Sequence, residues 1–398
     1  MYRVLSNITF IQQPSATFPT RTKTLIYNFA HQYEAADSWA DLTNKAKITL
    51  PKNVYVRDAT GKAVPLSGTN VNIGGFDSAV PLFLKGDQVT IMHGYRYFDS
   101  RGNEVSPMVT IFQGFISNVT SKKPIELECE DNMFKLKQIT APNKVYPAKS
   151  FTLEGILKDL LQGSGFTVNV LTDTSFGDFR TNNETVAEVL ARLRKDYHFN
   201  SYFRGTELRC GSLVYVEQDA ITDGTKTFTF QKNIISDELE YKRRDDINLS
   251  AIAYSVNKNE LTTTTKDGAT KTKKERLEVL VSIRNGNYVS SIKPPGQKAD
   301  FAPNTAGERR TLYFWNVTDP QALITLATNE LKKYFYTGMR GKFTTFGLPY
   351  VRQGDNVTLV DQILPERNGT YKVKSVKYTG GVGGLRQIIE LDYLISAS

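Results

Sequence analysis

Through residues 1–145, apolar and polar positions alternate with a period of two in short runs: "KTLIYNF", "AKITLP", "DQVTIMHGYRYF", "MVTIFQGFISNV" and "PIELECED". Alternation of this kind sets one face of a strand against a core and the other against water, and the Gly, Pro, Asn and Asp between the runs are turn formers. "FDSRGNEV", Phe98 to Val105, reads as a hairpin tip, and the opening "MYRVLSNITF" alternates like a strand. The segment predicts a small barrel or sandwich.

The period then lengthens. After Ser150 or Thr152 as N-cap, Leu153, Ile156, Leu157, Leu160 and Leu161 fall on one helical face that stops near Gly163 and Gly165. A strand, "FTVNVL", comes next. Asn183 can cap a second helix with Val186, Val189, Leu190, Leu193 and Tyr197 on one face, and "NSYFRGTELRCG" returns as a hairpin about Gly205. Residues 146–220 therefore read as a compact α+β insert.

From 221 to 398 the strand pattern resumes around one helix, expected at about 319–337. Asp319-Pro320 is its N-cap and N1 pair, Leu323, Leu326, Ala327, Leu331 and Tyr334 its buried stripe, and Gly338 its stop. "KNELTTTTKDGATKTKKER", at about 258–276, places Asp267-Gly268 between Thr-rich arms and is either an exposed hairpin or disordered. "KPPGQKADFAPNTAGERR", Lys293 to Arg310, reads as a long loop.

One short pattern occurs twice. "KGDQVTI", Lys85 to Ile91, is echoed by "RQGDNVTLV", Arg352 to Val360. A Gly-Asp turn before a strand is common chemistry, so the match alone is weak. The order of the succeeding elements carries more. Gly86-Asp87 precedes a strand, "FQGFISNV" and "PIELECED", while Gly354-Asp355 precedes a strand, "NGTYKVKSV" and "RQIIELDY". This matched order predicts one β unit used twice on either side of the insert, although the spacings differ, Gly86 to Gly114 against Gly354 to Gly369.

Composition narrows the classes. The 398 residues are 40% hydrophobic and 23% charged, ordinary values for a globular chain of two or three domains, and rich in Tyr and Phe. No apolar run approaches the ~20 residues that cross a bilayer, and the start lacks a signal-peptide pattern, so neither membrane spanning nor secretion by that route is expected. Cys129 and Cys210 have no Cys or His at metal-site spacing and read as core thiols made in a reducing cytoplasm. The formal net charge of +9 suits nucleic acid, a membrane or an acidic protein and selects none of them.

Candidate chemistry is sparse. In "IELECED", Ile125, Leu127 and Cys129 alternate with Glu126, Glu128 and Glu130, so the carboxylates share one strand face. A solvated face explains that better than a glycosidase or metal pair, whose members converge from separate elements. His31, His93 and His198 are scattered without a local nucleophile pattern. "YTGGVGG", Tyr378 to Gly384, lacks the phosphate-loop Lys and reads as a hairpin tip. The basic arm Lys266, Lys271, Lys273, Lys274 and Arg276 fits phosphates or a solvated loop, and no aromatics interleave with it. No catalytic residue, metal site or cofactor is assigned.

Taken together, "ADLTNKAKITLPKN" (Ala40 to Asn53), "LFLKGDQVTIMHGY" (Leu82 to Tyr95), "FQGFISNVTSKKPIELECEDNMFKLKQ" (Phe112 to Gln138), "ISDELEYKRRDDINLSAIAYSV" (Ile235 to Val256) and "GKFTTFGLPYVRQGDNVTLVD" (Gly341 to Asp361) resemble the late-control-D type hub proteins of phage baseplates and tail tips. The resemblance implies a mainly β fold: two tail-tube-like β-barrels (1–145 and 221–398) flanking the α+β insert at 146–220. It implies a homotrimer whose six barrels form a ring adapting the sixfold tail tube to a threefold spike or tip, around a channel for DNA. The partners implied are the tail tube or distal tail protein and a separate spike or tip protein, since the sequence stops at Ser398 after "IIELDYLIS" with no OB domain or β-helix, nor a segment for a peptidoglycan hydrolase.

The expectation is thus a non-enzymatic virion protein without stable membrane insertion, with Gly86, Asp87, Gly354 and Asp355 setting equivalent turns and the basic arm touching DNA or an acidic neighbour. The alternatives are a carbohydrate-degrading tail enzyme using Glu126, Glu128 or Asp131, and a nucleic-acid-binding β protein supported by the charge alone.

Overall fold

The computed structural model describes residues 3–39, 41–51, 55–57, 63–65, 81–120, 124–147, 150–171, 178–212, 224–264, 270–284, 286–293, 307–315 and 317–397, with side chains except at 55–57, 63–65, 256–276 and 284. The chain begins with strands β1 (Arg3–Ile11), β2 (Thr24–Tyr27), β3 (Gln32–Asp37), β4 (Lys45–Thr49), β5 (Tyr55–Arg57), β6 (Ala63–Pro65), β7 (Gln88–Phe98), β8 (Glu104–Val105), β9 (Met108–Val119) and β10 (Glu126–Glu130). Helix α1 (Met133–Leu136), β11 (Lys144–Tyr146), α2 (Leu153–Leu160), β12 (Thr167–Val170), β13 (Phe179–Thr181), α3 (Val186–Tyr197), β14 (Phe199–Arg204) and β15 (Glu207–Ser212) come next. The remainder is β16 (Thr225–Thr229), β17 (Ile234–Lys242), β18 (Leu249–Thr264), β19 (Thr270–Arg284), β20 (Asn287–Ile292), β21 (Glu308–Trp315), α4 (Pro320–Tyr334), β22 (Gly338–Phe346), β23 (Asn356–Val360), β24 (Gly369–Gly381) and β25 (Arg386–Ala397).

The fold is mainly β. Fourteen of these strands form one sheet with the main path β17-β22-β25-β24-β3-β4-β10-β9-β7-β1-β2. Strands from both ends of the chain therefore share a sheet, and they share a core: Ile8, Ile48, Ile91 and Leu127 belong to the same buried cluster as Phe343, Val357, Val373 and Ile389. Alternation produces this directly. Ile125, Leu127 and Cys129 point inward, all at 5% exposure or less, while Glu126 and Glu128 face out.

The segment between β10 and β16 is the α+β part, with β12-β15-β14 and β11-β13 covered by α2 and α3. The α2 N-cap is Thr152, whose hydroxyl accepts the Gly155 N–H. For α3 the cap is Thr185, not Asn183: Thr185 and Glu188 satisfy each other's backbone N–H groups in a capping box, and Asn183 sits two residues earlier at φ 50°. Trp315, at the end of β21, stacks on Phe199 at 4.8 Å and ties this part to the rest of the chain.

Within 221–398, β18 to β21 and α4 build a separate layer. The sheet β20-β19-β18-β21 carries α4 on one face, with Leu249, Ala251, Val279 and Val281 against Leu323, Ala327 and Leu331. Asp319 caps α4 by accepting the Ala322 N–H at 2.7 Å. Leu326 is exposed at 37%, and the position buried in its place is Glu330, held by Lys333 at 2.7 Å. Of the loop expected from Lys293 to Arg310, Glu308 to Arg310 already belong to β21, and residues 294–306 lie outside the described residues. Among the described residues no helix is long and apolar enough to cross a membrane.

Candidate functional site

The two Gly-Asp turns are built alike. Gly86 and Gly354 adopt φ of +96° and +82°, a region that costs any residue with a Cβ, so glycine is required twice in the same role. The Gly86 N–H donates to Ile116 O at 2.8 Å and the Gly354 N–H to Val373 O at 3.0 Å. The return bonds, Ile116 N–H to Asp87 O and Val373 N–H to Asp355 O, are both 2.9 Å. Each aspartate then closes its own turn. Asp87 Oδ2 accepts the Leu84 N–H at 2.9 Å, and Asp355 Oδ2 accepts the Arg352 N–H at 2.8 Å.

They differ in what satisfies the buried carboxylate. Arg21, at 1% exposure, donates from Nη1 and Nη2 to both Asp87 oxygens at 2.8 and 2.5 Å, and its other N–H groups go to the carbonyls of Gln13, Pro81 and Leu82. Such a fork fixes both charges and leaves little unsatisfied. Asp355 instead lies in the field of Lys372 and Asp37.

The strands beyond the turns match as well. The path β3-β4-β10-β9-β7 and the path β17-β22-β25-β24-β23 are antiparallel at every step and visit their strands in the same chain order. The register agrees residue by residue. Lys47 lies between Glu34 and Glu128, and Lys342 lies between Glu238 and Glu390. The glycine spacings differ because Gly114 and Gly369 do not correspond. The equivalent points are Ile116 and Val373, and the extra length of the first copy lies in the β7–β9 hairpin, whose Phe98 to Val105 tip is clipped by Asp99. The neighbours on the outer side part company: β1 runs antiparallel to β7, whereas β16 runs parallel to β23.

The units are joined where β3 pairs antiparallel with the far half of β24, Asp37 opposite Val376 and Gln32 opposite Gly381. Lys377 binds Glu34 at 2.7 Å across the joint. Tyr33, His93 and Tyr378 fill it from within, each 1% exposed or less. Burial drives the His93 pKa down to about 4, and its Nε2 has no hydrogen-bond partner. Over the end of β3 lies a polar cavity of about 350 Å3, lined in part by Asp37, Asp131, Arg204, Tyr350 and Arg352. Burial pushes the Asp37 carboxyl up, against the pull of the Gln353 N–H and the Arg352 and Arg204 guanidinium groups.

The carboxylates weighed for catalysis are spread out. Glu126 pairs with Lys47 at 3.0 Å, and Glu128 accepts from Asn118 at 3.2 Å on an exposed face. Asp131 accepts the N–H groups of Met133 and Asn44, and burial raises its pKa to about 7. Its partners are main-chain groups that hold the β10–α1 corner. His31 is exposed, His93 lies in the joint, and His198 stacks on Tyr313 behind α3. Among the described residues no group of three or more His, Cys, Asp or Glu is placed to hold a metal.

Of the basic arm, Lys271, Lys273, Lys274 and Arg276 lie on β19, opposite Thr263, Leu261, Glu260 and Val256 of β18. Lys266 lies outside the described residues. The arm is thus a two-stranded extension of the β18–β19 pair. Sequence reasoning missed Arg21 and the β3–β24 joint. "PTRTK" carries no periodic signal for a buried arginine, and strand pairing between distant segments leaves none.

No protein-family model and no curated protein sequence matches the chain. Among solved structures it is similar to the 43 kDa tail protein of prophage MuSo2 from Shewanella oneidensis, at 13% identity and TM-score 0.49, covering 97% of this chain and 98% of that one. A tail protein from Neisseria meningitidis MC58 gives 10% identity and TM-score 0.49, over 97% and 96% of the two chains. The prophage tail protein gp18 from Listeria monocytogenes EGD-e gives 10% identity and TM-score 0.44, over 98% and 95%.

Proposed function

We propose that this chain is a structural, non-enzymatic component of a phage tail, a hub at the baseplate or tail tip. Its two matched β units are tail-tube-like barrels, with Gly86-Asp87 and Gly354-Asp355 as their equivalent turns. Three copies form a ring of six units, which adapts the sixfold tail tube to a threefold spike or tip and surrounds a channel through which DNA passes. The neighbours are the tube or distal tail protein on one side and a separate spike or tip protein on the other. The basic arm contacts DNA or an acidic neighbour.

The observation that carries this reading is the repeat itself, two five-stranded units of one topology and register in a single chain. A chain that presents the same surface twice lets a threefold assembly offer an almost sixfold face, a geometric function that needs no catalytic group. The family resemblance of the sequence supplies the setting. The test is the native mass of the full chain. A trimer supports the reading, and a stable monomer over the micromolar range contradicts it.

A further inference from the structure

The joint inside the chain has a counterpart that one copy does not make. Following the register, β17 stands to the second unit as β3 stands to the first, and β9 as β24, with Val119 in the place of Val376. The β3–β24 pairing therefore maps onto a pairing of β17 with the end of β9. Neither edge has a strand partner among the described residues: β17 ends the sheet path, and β9 pairs with β7 only up to Phe115.

We propose that β17 of one copy pairs antiparallel with the β9 end of a second copy, Tyr241 opposite Val119 and Glu240 opposite Thr120. This rests on the ring assembly proposed above and names the surface through which it closes.

Three features fit that occupant. The first is exposure. Along β17 only Ile234 and Leu239 are partly covered, Tyr241 is 42% exposed, and the Glu238 side chain is 73% exposed, while β3 buries Tyr33 and Ala35 in the matched positions of its own unit. A nine-residue open edge of this kind invites another strand. The second is the groove beside it. Inside the chain, the turn Arg352-Gln353 seats over the end of β3 and gives the Gln353 N–H to Asp37. At the matched end of β17, Leu239, Tyr241, Met339 and Leu364, flanked by Arg243, Glu366 and Arg367, line an open groove of about 600 Å3. The turn that corresponds to Arg352-Gln353 is Leu84-Lys85, which the same pairing brings to that groove.

The third is charge. Asp237, Glu238 and Glu240 put three carboxylates on β17, paired in the free chain with Arg367, Lys342 and Lys242 on exposed or partly exposed side chains, whereas Lys85 supplies positive charge to the other edge. At the internal joint the same signs meet in the Lys377–Glu34 pair. Complementary charge of this kind sets register and rejects the wrong edge.

The test is oxidative cross-linking of the full chain carrying Val119→Cys and Tyr241→Cys, with Thr120→Cys and Glu240→Cys as the adjacent pair. Cys129 and Cys210 are buried and give no background. Asp37→Cys with Val376→Cys, opposite each other within one chain, is the positive control for this geometry and should close without a change in mass. The expected result is a covalent trimer from the intermolecular pairs, and association weakened at least tenfold by E238K with E240K, both on exposed side chains. A threefold ring that neither pair cross-links overturns this edge assignment and leaves the ring standing. A chain that stays monomeric overturns both.

Discussion

Asp87 and Asp355 each accept, through Oδ2, the main-chain N–H three residues upstream, from Leu84 at 2.9 Å and from Arg352 at 2.8 Å. Each comes after a glycine in the left-handed region and leads into a strand that pairs with the strand bonded to the turn. The correspondence is one of hydrogen bonds, so it should be readable in mutational costs.

Gly86→Ala should destabilise by about 1–2 kcal/mol, because the added Cβ meets no close neighbour and the cost is that of the backbone conformation, and Gly354→Ala, with its glycine in the same region, by at least as much. Gly380→Ala places its Cβ against the buried Tyr33 ring at the β3–β24 joint and should cost more, up to about 3 kcal/mol as overpacking. Urea unfolding of the three variants checks the ranking. Equal costs would mean that Tyr33 yields freely.

Arg21→Met should be the most damaging single change in the first unit. It leaves the Asp87 carboxylate buried without its cation, a loss of about 3–5 kcal/mol. Asp355→Asn keeps an acceptor for the Arg352 N–H and should cost about 1 kcal/mol. Comparable losses at the two sites would contradict the assignment of Arg21 as the element peculiar to the first copy.

The joint should weaken in acid. His93 has a folded pKa of about 4 against 6.5 when unfolded. Between those values the unfolded chain binds a proton that the folded chain refuses, so the contribution of this residue falls as pH drops from about 6.5 to about 4, by roughly 3 kcal/mol in all. His93→Leu should remove that slope from the pH dependence of unfolding. An unchanged slope would place the acid sensitivity elsewhere.

Reversing Lys271, Lys273, Lys274 and Arg276 to Glu should leave the isolated chain folded and impair assembly with tail components or infectivity. They lie on the part of β19 that pairs with Val256 to Thr263 of β18, beyond the Leu249 to Ala253 stretch that packs against α4. Wild-type assembly and infectivity would remove the arm from the account.

The fold was legible in the sequence wherever a period reported on burial. β10 and the first half of β7 alternate, and α2 and α4 carry their caps at Thr152 and Asp319. The repeat was legible as an order of elements, and the structure adds its register, with Lys47 and Lys342 each between two glutamates. Local pattern could not tell Thr185 from Asn183 as a cap, since either side chain can accept a backbone N–H. Nor could it see that Glu330 would be buried against Lys333 while Leu326 faced out. The internal joint was invisible for a different reason. Its partners, such as Ala36 and Lys377, stand at opposite ends of the chain, and neither strand carries a local signal that names the other, so the pairing rests on tertiary geometry alone.

The central claim, one unit used twice to build a ring, is tested most directly by imaging the purified full-length chain and averaging its face-on views. The account predicts a threefold particle with six similar lobes around an open centre. A two-lobed monomer, or a threefold particle whose lobes are not paired in this way, would contradict it.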